Sequence, residues 1–278
     1  MMKVELVDKM GTDLTTVNTA RVSFKKAKKQ IDEKDKKLIL YLAKHNHWAP
    51  FAHATIQFRV SAPIFVARQL AKHQVGAVWS EESRRYVDDE PDIYVPGVWR
   101  GRAENVKQGS GDNLHPGDGY LADSTYDAAM RDAALAYQNL LKRGVAPEMA
   151  RMCLPQSAVT EWIWTGSLLF FSRVCQLRLE GHAQSETRVV AEKIHDICAI
   201  LFPLSWAALM SRQEPPAPDE AAALKIEVES LRKALDKANG ENSKILQRLH
   251  NERIKKTVPS DGLTNPFLGA MRPKGLSK

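Results

Sequence analysis

Long apolar runs, paired cysteines and a glycine-rich phosphate loop are all missing from this 278-residue chain. No apolar stretch approaches the roughly 20 residues that a membrane helix needs, which argues against a helical span and a membrane partner. The opening MMKVELVDKM mixes acids and bases with alternating apolar residues and does not read as a signal peptide. Three cysteines (Cys153, Cys175, Cys198), an odd number without CxxC spacing, argue against a disulfide framework or a zinc site. They are expected as buried thiols in a reducing cytoplasm, with no metal bound. There is no GxGxxG, so a dinucleotide cofactor would have to be held by something other than that fingerprint.

What is present is an ordinary globular composition, 44% hydrophobic and 26% charged, with a net charge of +7. Basic character points to an anionic partner. The bases are not gathered into one stripe, however: Lys25–Lys37 is laced with acids and reads as a solvated loop or helix start. Bases interleaved with carboxylates and hydroxyls suit a pocket for a small phosphorylated ligand better than a nucleic-acid track.

The periodicity predicts a mostly helical α+β fold around a small antiparallel sheet. Val4–Leu6 reads as an edge strand, and Lys36–His45 as a helix. Thr55–Val60 alternates like a strand, and a helix follows Pro63 through IFVARQLAKH. Val75–Tyr86 reads as a polar loop and Asp88–Asp123 as a long surface excursion. Residues 124–143 read as a helix capped by Ser124 or Thr125 and ended by Gly144. A short helix from Pro147 carries Arg151, and 157–178 and 183–202 read as helices parted by Gly181–His182.

The core domain is expected over 1–212, a Pro- and acid-rich linker over 213–223, and a disordered tail over 257–278. Between them, 224–256 reads as a helix or short coiled coil: Leu224, Val228, Leu231, Leu235, Ala238, Asn242, Ile245 and Leu249 recur at heptad spacing.

Three polar groups carry candidate chemistry. In Arg68–Gln74, a helix would put Arg68 with Lys72 and Gln69 with His73, giving cations and neutral donors for a phosphate or ring carbonyl. Trp79–Tyr86 gathers Glu81, Glu82, Ser83, Arg84 and Arg85, suited to ribose hydroxyls and phosphate. In Arg178–Glu186, Arg178 ends an apolar run, where poor solvation would make its guanidinium favour an anion. Taken singly, each group also fits an ordinary polar surface.

Together, APIFVARQLAKHQVGAVWSEESRRY and LRLEGHAQSETR resemble the two signature regions of the flavin-dependent thymidylate synthases. TARVSF (Thr19–Phe24), PFAHATIQF (Pro50–Phe58) and ARMCLP (Ala150–Pro155) resemble further family segments, in the same order. The resemblance covers roughly 1–212 and is not seen in the C-terminal helix and tail. It implies reductive methylation of dUMP to dTMP. The carbon would come from methylenetetrahydrofolate and the hydride from FAD reduced by NADPH, with no enzyme nucleophile on the pyrimidine. It also implies a cytoplasmic homotetramer with shared active sites.

Carried over residue by residue, the resemblance makes Gln69, Lys72, Glu81, Ser83, Arg85, Arg151 and Arg178 ligands of dUMP, with Glu82 and Arg84 beside them. Arg151 would come from another subunit, and Arg178 would stabilise charge on the uracil, making it the catalytic residue. Ser23, Thr55, Lys72, His73, Gln74, Glu81, Arg173 and His182 would face FAD, and His53 the folate approach. The chain departs from the pattern where Lys72 and Gln74 replace two arginines, Ser80 replaces an Asn and Arg173 stands at an Asn position. Lys cannot form the bidentate fork of Arg, which puts the flavin grip there in question. The alternatives are a catalytically impaired family member and a nucleotide- or nucleic-acid-binding protein.

Overall fold

The computed structural model describes residues 2–104 and 109–211. The linker, heptad segment and tail expected over 213–278 lie outside the described residues.

Four antiparallel strands form the main sheet, in the order β1 (Lys3–Met10), β2 (Thr55–Pro63), β6 (Val159–Ser167), β3 (Ala77–Glu81). The edge position expected for the first strand is confirmed, and the pattern of β2 explains its central place. Ile56, Phe58, Val60 and Ala62 are buried, as period-2 alternation requires. On β6 the same alternation buries Thr160, Trp162, Trp164 and Gly166.

A helical layer covers the buried face of the sheet. Helix α7 (Leu168–Arg178) follows β6 directly, its start fixed by Ser167 Oγ accepting from the Phe170 N–H. Phe171 meets Phe58 edge-on at 4.9 Å, and Val174, Val190 and Ile194 complete the contact with α8 (Ser185–Leu201). Helices α1 (Asp13–Arg21), α3 (Ala49–Ala52) and α9 (Pro203–Met210) pack around these. Gly166 allows the turn of chain: a Cβ there would lie 2.5 Å from the Phe170 ring.

The Lys25–Lys37 run is ordered rather than merely solvated. Helix α2 (Glu33–Lys44) opens with a reciprocal cap between Asp32 and Asp35. Asp35 is fully buried and takes Arg21 at 2.6 Å and Lys28 at 2.8 Å. Burial pushes its carboxyl up, but the hydrogen bonds from Lys28, Asp32 and Arg21 outweigh this and hold it well below the usual range.

Four expectations are corrected. Residues 157–178 are not one helix: Val159–Ser167 form β6, because bulky Thr, Trp and Ile side chains alternate there. Val75–Tyr86 contains β3, whose partner β6 lies some 80 residues away in sequence. The helix after Pro63, α4 (Ile64–Leu70), stops before Lys72 and His73. Helix α5 (Pro116–Lys142) begins eight residues early, with Pro116 in its first turn and His115 as the cap. Ser124 and Thr125 instead donate back to the Leu121 carbonyl. Gly144 ends α5 as expected, with φ of 79°.

The 88–123 excursion is partly regular. Strands β4 (Arg100–Arg102) and β5 (Ser110–Asn113) form a two-stranded ribbon ahead of α5. It is tied down by Trp99 donating to Asp123 at 2.7 Å and Tyr126 donating to the Tyr94 carbonyl. Arg100 pairs with the buried Glu186 at 2.7 Å.

Candidate active site

Arg178, in the last turn of α7, is half-buried, as its place after an apolar run suggests. Its Nε donates to His73 Nε2 at 3.0 Å and its Nη2 to the Gln69 carbonyl at 3.3 Å. Burial lowers its pKa, and no carboxylate pairs with it among the described residues. Neither Glu180 nor Glu186, the carboxylates nearest in sequence, forms an ion pair with it. The bond to His73 needs a bare Nε2, so the ring is neutral with its proton on Nδ1. Burial, then the charge of Arg178, keeps the His73 pKa below 6.5.

Gln69 is fixed from both ends of its amide. Its Nε2 donates to Gln184 Oε1 at 2.5 Å, and its Oε1 accepts from Thr187 Oγ1 at 3.1 Å. The end of α4, the end of α7 and the start of α8 thus bring Gln69, His73 and Arg178 together. They do so although Lys72 and His73 lie past the helix, held by the His73 N–H bonding the Leu70 carbonyl.

The second group lies along β3 and the turn after it. Glu81 is exposed, yet both oxygens are directed: Thr160 Oγ1 donates to Oε1 at 2.9 Å and Trp79 Nε1 to Oε2 at 3.1 Å. The Trp79 indole is itself stacked on Trp162 at 4.4 Å. Ser83 Oγ accepts from Arg85 Nε at 3.3 Å, and the Arg85 guanidinium lies over the Tyr86 ring and is exposed. Arg84 is spent internally, on Glu82 at 3.3 Å and Asp89 at 2.8 Å, so it braces the turn.

The remaining candidates are spread over the surface of the single chain. Ser23 sits on an exposed 3₁₀ turn, Val22–Phe24, and His53 just past α3. Thr55 opens β2, Arg173 is exposed on α7, and Lys72, Gln74 and His182 are exposed. Arg151 projects from the 3₁₀ turn Arg151–Cys153 after α6 (Pro147–Ala150), its Nε donating to the Glu148 carbonyl at 3.3 Å. Cys175 and Cys198 are buried, and burial raises both thiols. Cys153 is half-buried, its thiol donating to the Ala150 carbonyl at 3.1 Å.

Sequence reasoning missed Trp79, Thr160, Gln184 and Thr187, the groups that aim the ligating side chains. Trp79 and Glu81 share one face of a strand, two residues apart, a relation invisible while the segment reads as a loop.

The family model described as "Thymidylate synthase complementing protein" matches residues 5–204. A flavin-dependent thymidylate synthase of Thermus thermophilus is 41% identical over 209 residues, covering 74% of each chain. One from Treponema denticola is 35% identical over 259 residues, covering 91% of this chain and 94% of the relative. That alignment is longer than the 1–212 span expected from the signature segments, so likeness extends into the C-terminal region. Among solved structures, the UMP/dUMP methylase PolB from Streptomyces cacaoi, bound with 5-Br dUMP, superposes with a TM-score of 0.70 at 31% identity, covering 77% of this chain and 98% of PolB. On a match that spans almost the whole described fold and both polar groups, the chain belongs to the flavin-dependent thymidylate synthase family.

Proposed function

We propose that the protein methylates dUMP at carbon 5 to give dTMP. One observation carries this: a half-buried Arg178 guanidinium, fixed by two neutral acceptors and lacking a carboxylate partner among the described residues. A poorly solvated cation held this way is a receptor for negative charge. Placed against uracil, it favours the ionised ring and so the nucleophilic character of carbon 5. Gln69 meets the nucleotide beside it, and Glu81 accepts from its ribose or ring N–H. Ser83 and Arg85 take the phosphate, joined by Lys72 and by Arg151 of a neighbouring copy.

The donors expected to face FAD fit that group. His73 keeps its Nδ1–H for a ligand, since Nε2 is taken by Arg178. Lys72, Gln74, Arg173 and His182 have exposed side chains without a hydrogen bond or ion pair among the described residues, so they are available to a diphosphate or carbonyl-rich ring. When bound, FAD supplies the hydride it receives from NADPH, while methylenetetrahydrofolate supplies the carbon. The chain's own task is to orient and polarise the pyrimidine. Two thiols sealed in the core and a third bonded to backbone support a route without an enzyme nucleophile.

We place the working form as a homotetramer. The Ser23 turn is flanked by Val22 and Phe24, 71% and 73% exposed, and Met152 beside Arg151 is 76% exposed. Apolar side chains beside polar candidates suit contact with another copy. No described helix is long and apolar enough to cross a membrane. The test is a visible flavin spectrum of the purified protein, then release of tritium from carbon 5 of labelled dUMP. A colourless protein without release would remove the proposal.

A further inference from the structure

Arg188 has no part in the groups assigned above, yet its neighbours at the start of α8 hold one of them. Gln184, just before the helix, and Thr187, in its first turn, fix the two ends of the Gln69 amide. Gln184 stands at the N-cap, where a side-chain oxygen ordinarily accepts from a first-turn N–H. It makes no such bond, and its amide oxygen accepts from Gln69 instead. The start of α8 thus gives up its side-chain cap to grip a candidate ligand of dUMP. Another group has to fix the entry of the chain into the helix.

Arg188 is that group. From the end of the first turn its Nη2 reaches back to two main-chain carbonyls, Gly181 at 2.7 Å and Ala183 at 3.0 Å. A helix dipole disfavours a cation near the helix start, so a guanidinium there needs acceptors, and the two carbonyls provide them. No carboxylate pairs with Arg188 among the described residues, and its Nε is buried without a partner among them. The hold therefore runs through one nitrogen.

What that nitrogen closes is the link 179–184 between α7 and α8, in which Gly181 and His182 are exposed. Arg178 stands at one end of the link and Gln184 at the other. Both bond residue 69, Arg178 at its carbonyl and Gln184 at its amide. We propose that Arg188 is a positioning residue: by clamping the main chain of the link it sets Gln184 and Thr187 against Gln69, and so aims the Gln69 amide. The clamp stands on geometry alone. Its effect on nucleotide binding rests on the proposed reading of Gln69 as a ligand of dUMP.

The test is calorimetric titration of dUMP into the flavin-loaded full chain, with thermal unfolding measured alongside. Arg188→Met keeps the buried stem and removes the guanidinium. It should weaken dUMP roughly tenfold, as the loss of two charge-assisted bonds in a partly exposed place allows. Arg188→Lys offers both carbonyls an ammonium and should stay within about threefold of the parent. Gln69→Ala alone should weaken dUMP, and in that background Arg188→Met should add less than about twofold, because it acts through Gln69. If Arg188→Met does not fold, Arg188→Gln, which stays hydrated but is too short to reach the link, decides in its place. A folded variant that binds dUMP like the parent, or one that loses as much affinity when Gln69 is already absent, would overturn the inference. Parental affinity in Gln69→Ala would strike the ligand reading of Gln69 itself, and this inference with it.

Discussion

Glu81 offers the sharpest test of how the fold aims a ligand. Its carboxylate is exposed, but Thr160 and Trp79 each direct one oxygen with a hydrogen bond near 3 Å. Thr160→Val removes the hydroxyl at nearly constant shape, and Trp79→Phe keeps an aromatic ring against Trp162 while losing the indole N–H. Hydrogen bonds to charged groups contribute about 1.5–3 kcal/mol when shielded. Because Glu81 is exposed, roughly 1 kcal/mol each is the better figure, since water can replace part of each bond. Each single change should then lower kcat/KM for dUMP about fivefold, and the pair about thirtyfold, at roughly 1.4 kcal/mol per factor of ten. The assay is initial-rate kinetics over a range of dUMP, with thermal unfolding measured alongside. In a Glu81→Gln background the same changes should add little, because they act through that carboxylate. A double variant within twofold of the parent, with an unchanged fold, would refute the idea that these donors position Glu81.

Three further outcomes are expected. Arg178→Ala should keep its fold and flavin but lose dTMP formation by roughly 10²–10³-fold, the usual loss for one well-placed electrostatic donor; near-normal turnover would remove Arg178 from the central role. His73 is neutral in the fold with its pKa below 6.5, so its contribution is fully present above pH 6.5 and is lost as pH falls through the folded value. Protonation would delete the acceptor for Arg178 and set two cations side by side, so His73→Gln should flatten the acid side of a melting-temperature profile. Asp35→Ala strands Arg21 and Lys28, whose side chains are 23% and 29% exposed and can turn to water. The loss should be about 2 kcal/mol, less than for a wholly buried pair, or roughly 4–8 °C in the melting temperature of a domain this size.

The elements legible in the sequence were those whose own residues carry a clean period or cap. Strand β2 shows its alternation, α5 its stop at Gly144, and α2 its apolar spacing. Strand β6 was misread because its alternating Thr160, Trp162 and Trp164 run without a break into the apolar face of α7. The start of α5 was hidden by Gly117 and Gly119, which read as loop residues. Strand β3 has too little apolar alternation to announce itself, and only pairing with β6 makes it a strand.

For the site, residue types and their order along the chain were enough to gather Gln69, His73, Glu81, Ser83, Arg85 and Arg178 as one candidate set. Local chemistry also determined that Arg178 would be poorly solvated, because it ends an apolar run. The sequence could not decide which groups hold them. That Arg178 rests on His73, that Gln69 spans Gln184 and Thr187, and that Thr160 reaches Glu81 depend on side chains 79 to 118 residues apart. Hydrogen bonds of that kind exist only once sheet and helices close on one another, and only the tertiary structure decides them. Arg84, which residue type alone offers to a phosphate, is engaged locally instead, by Glu82 and Asp89 in the turn that follows β3.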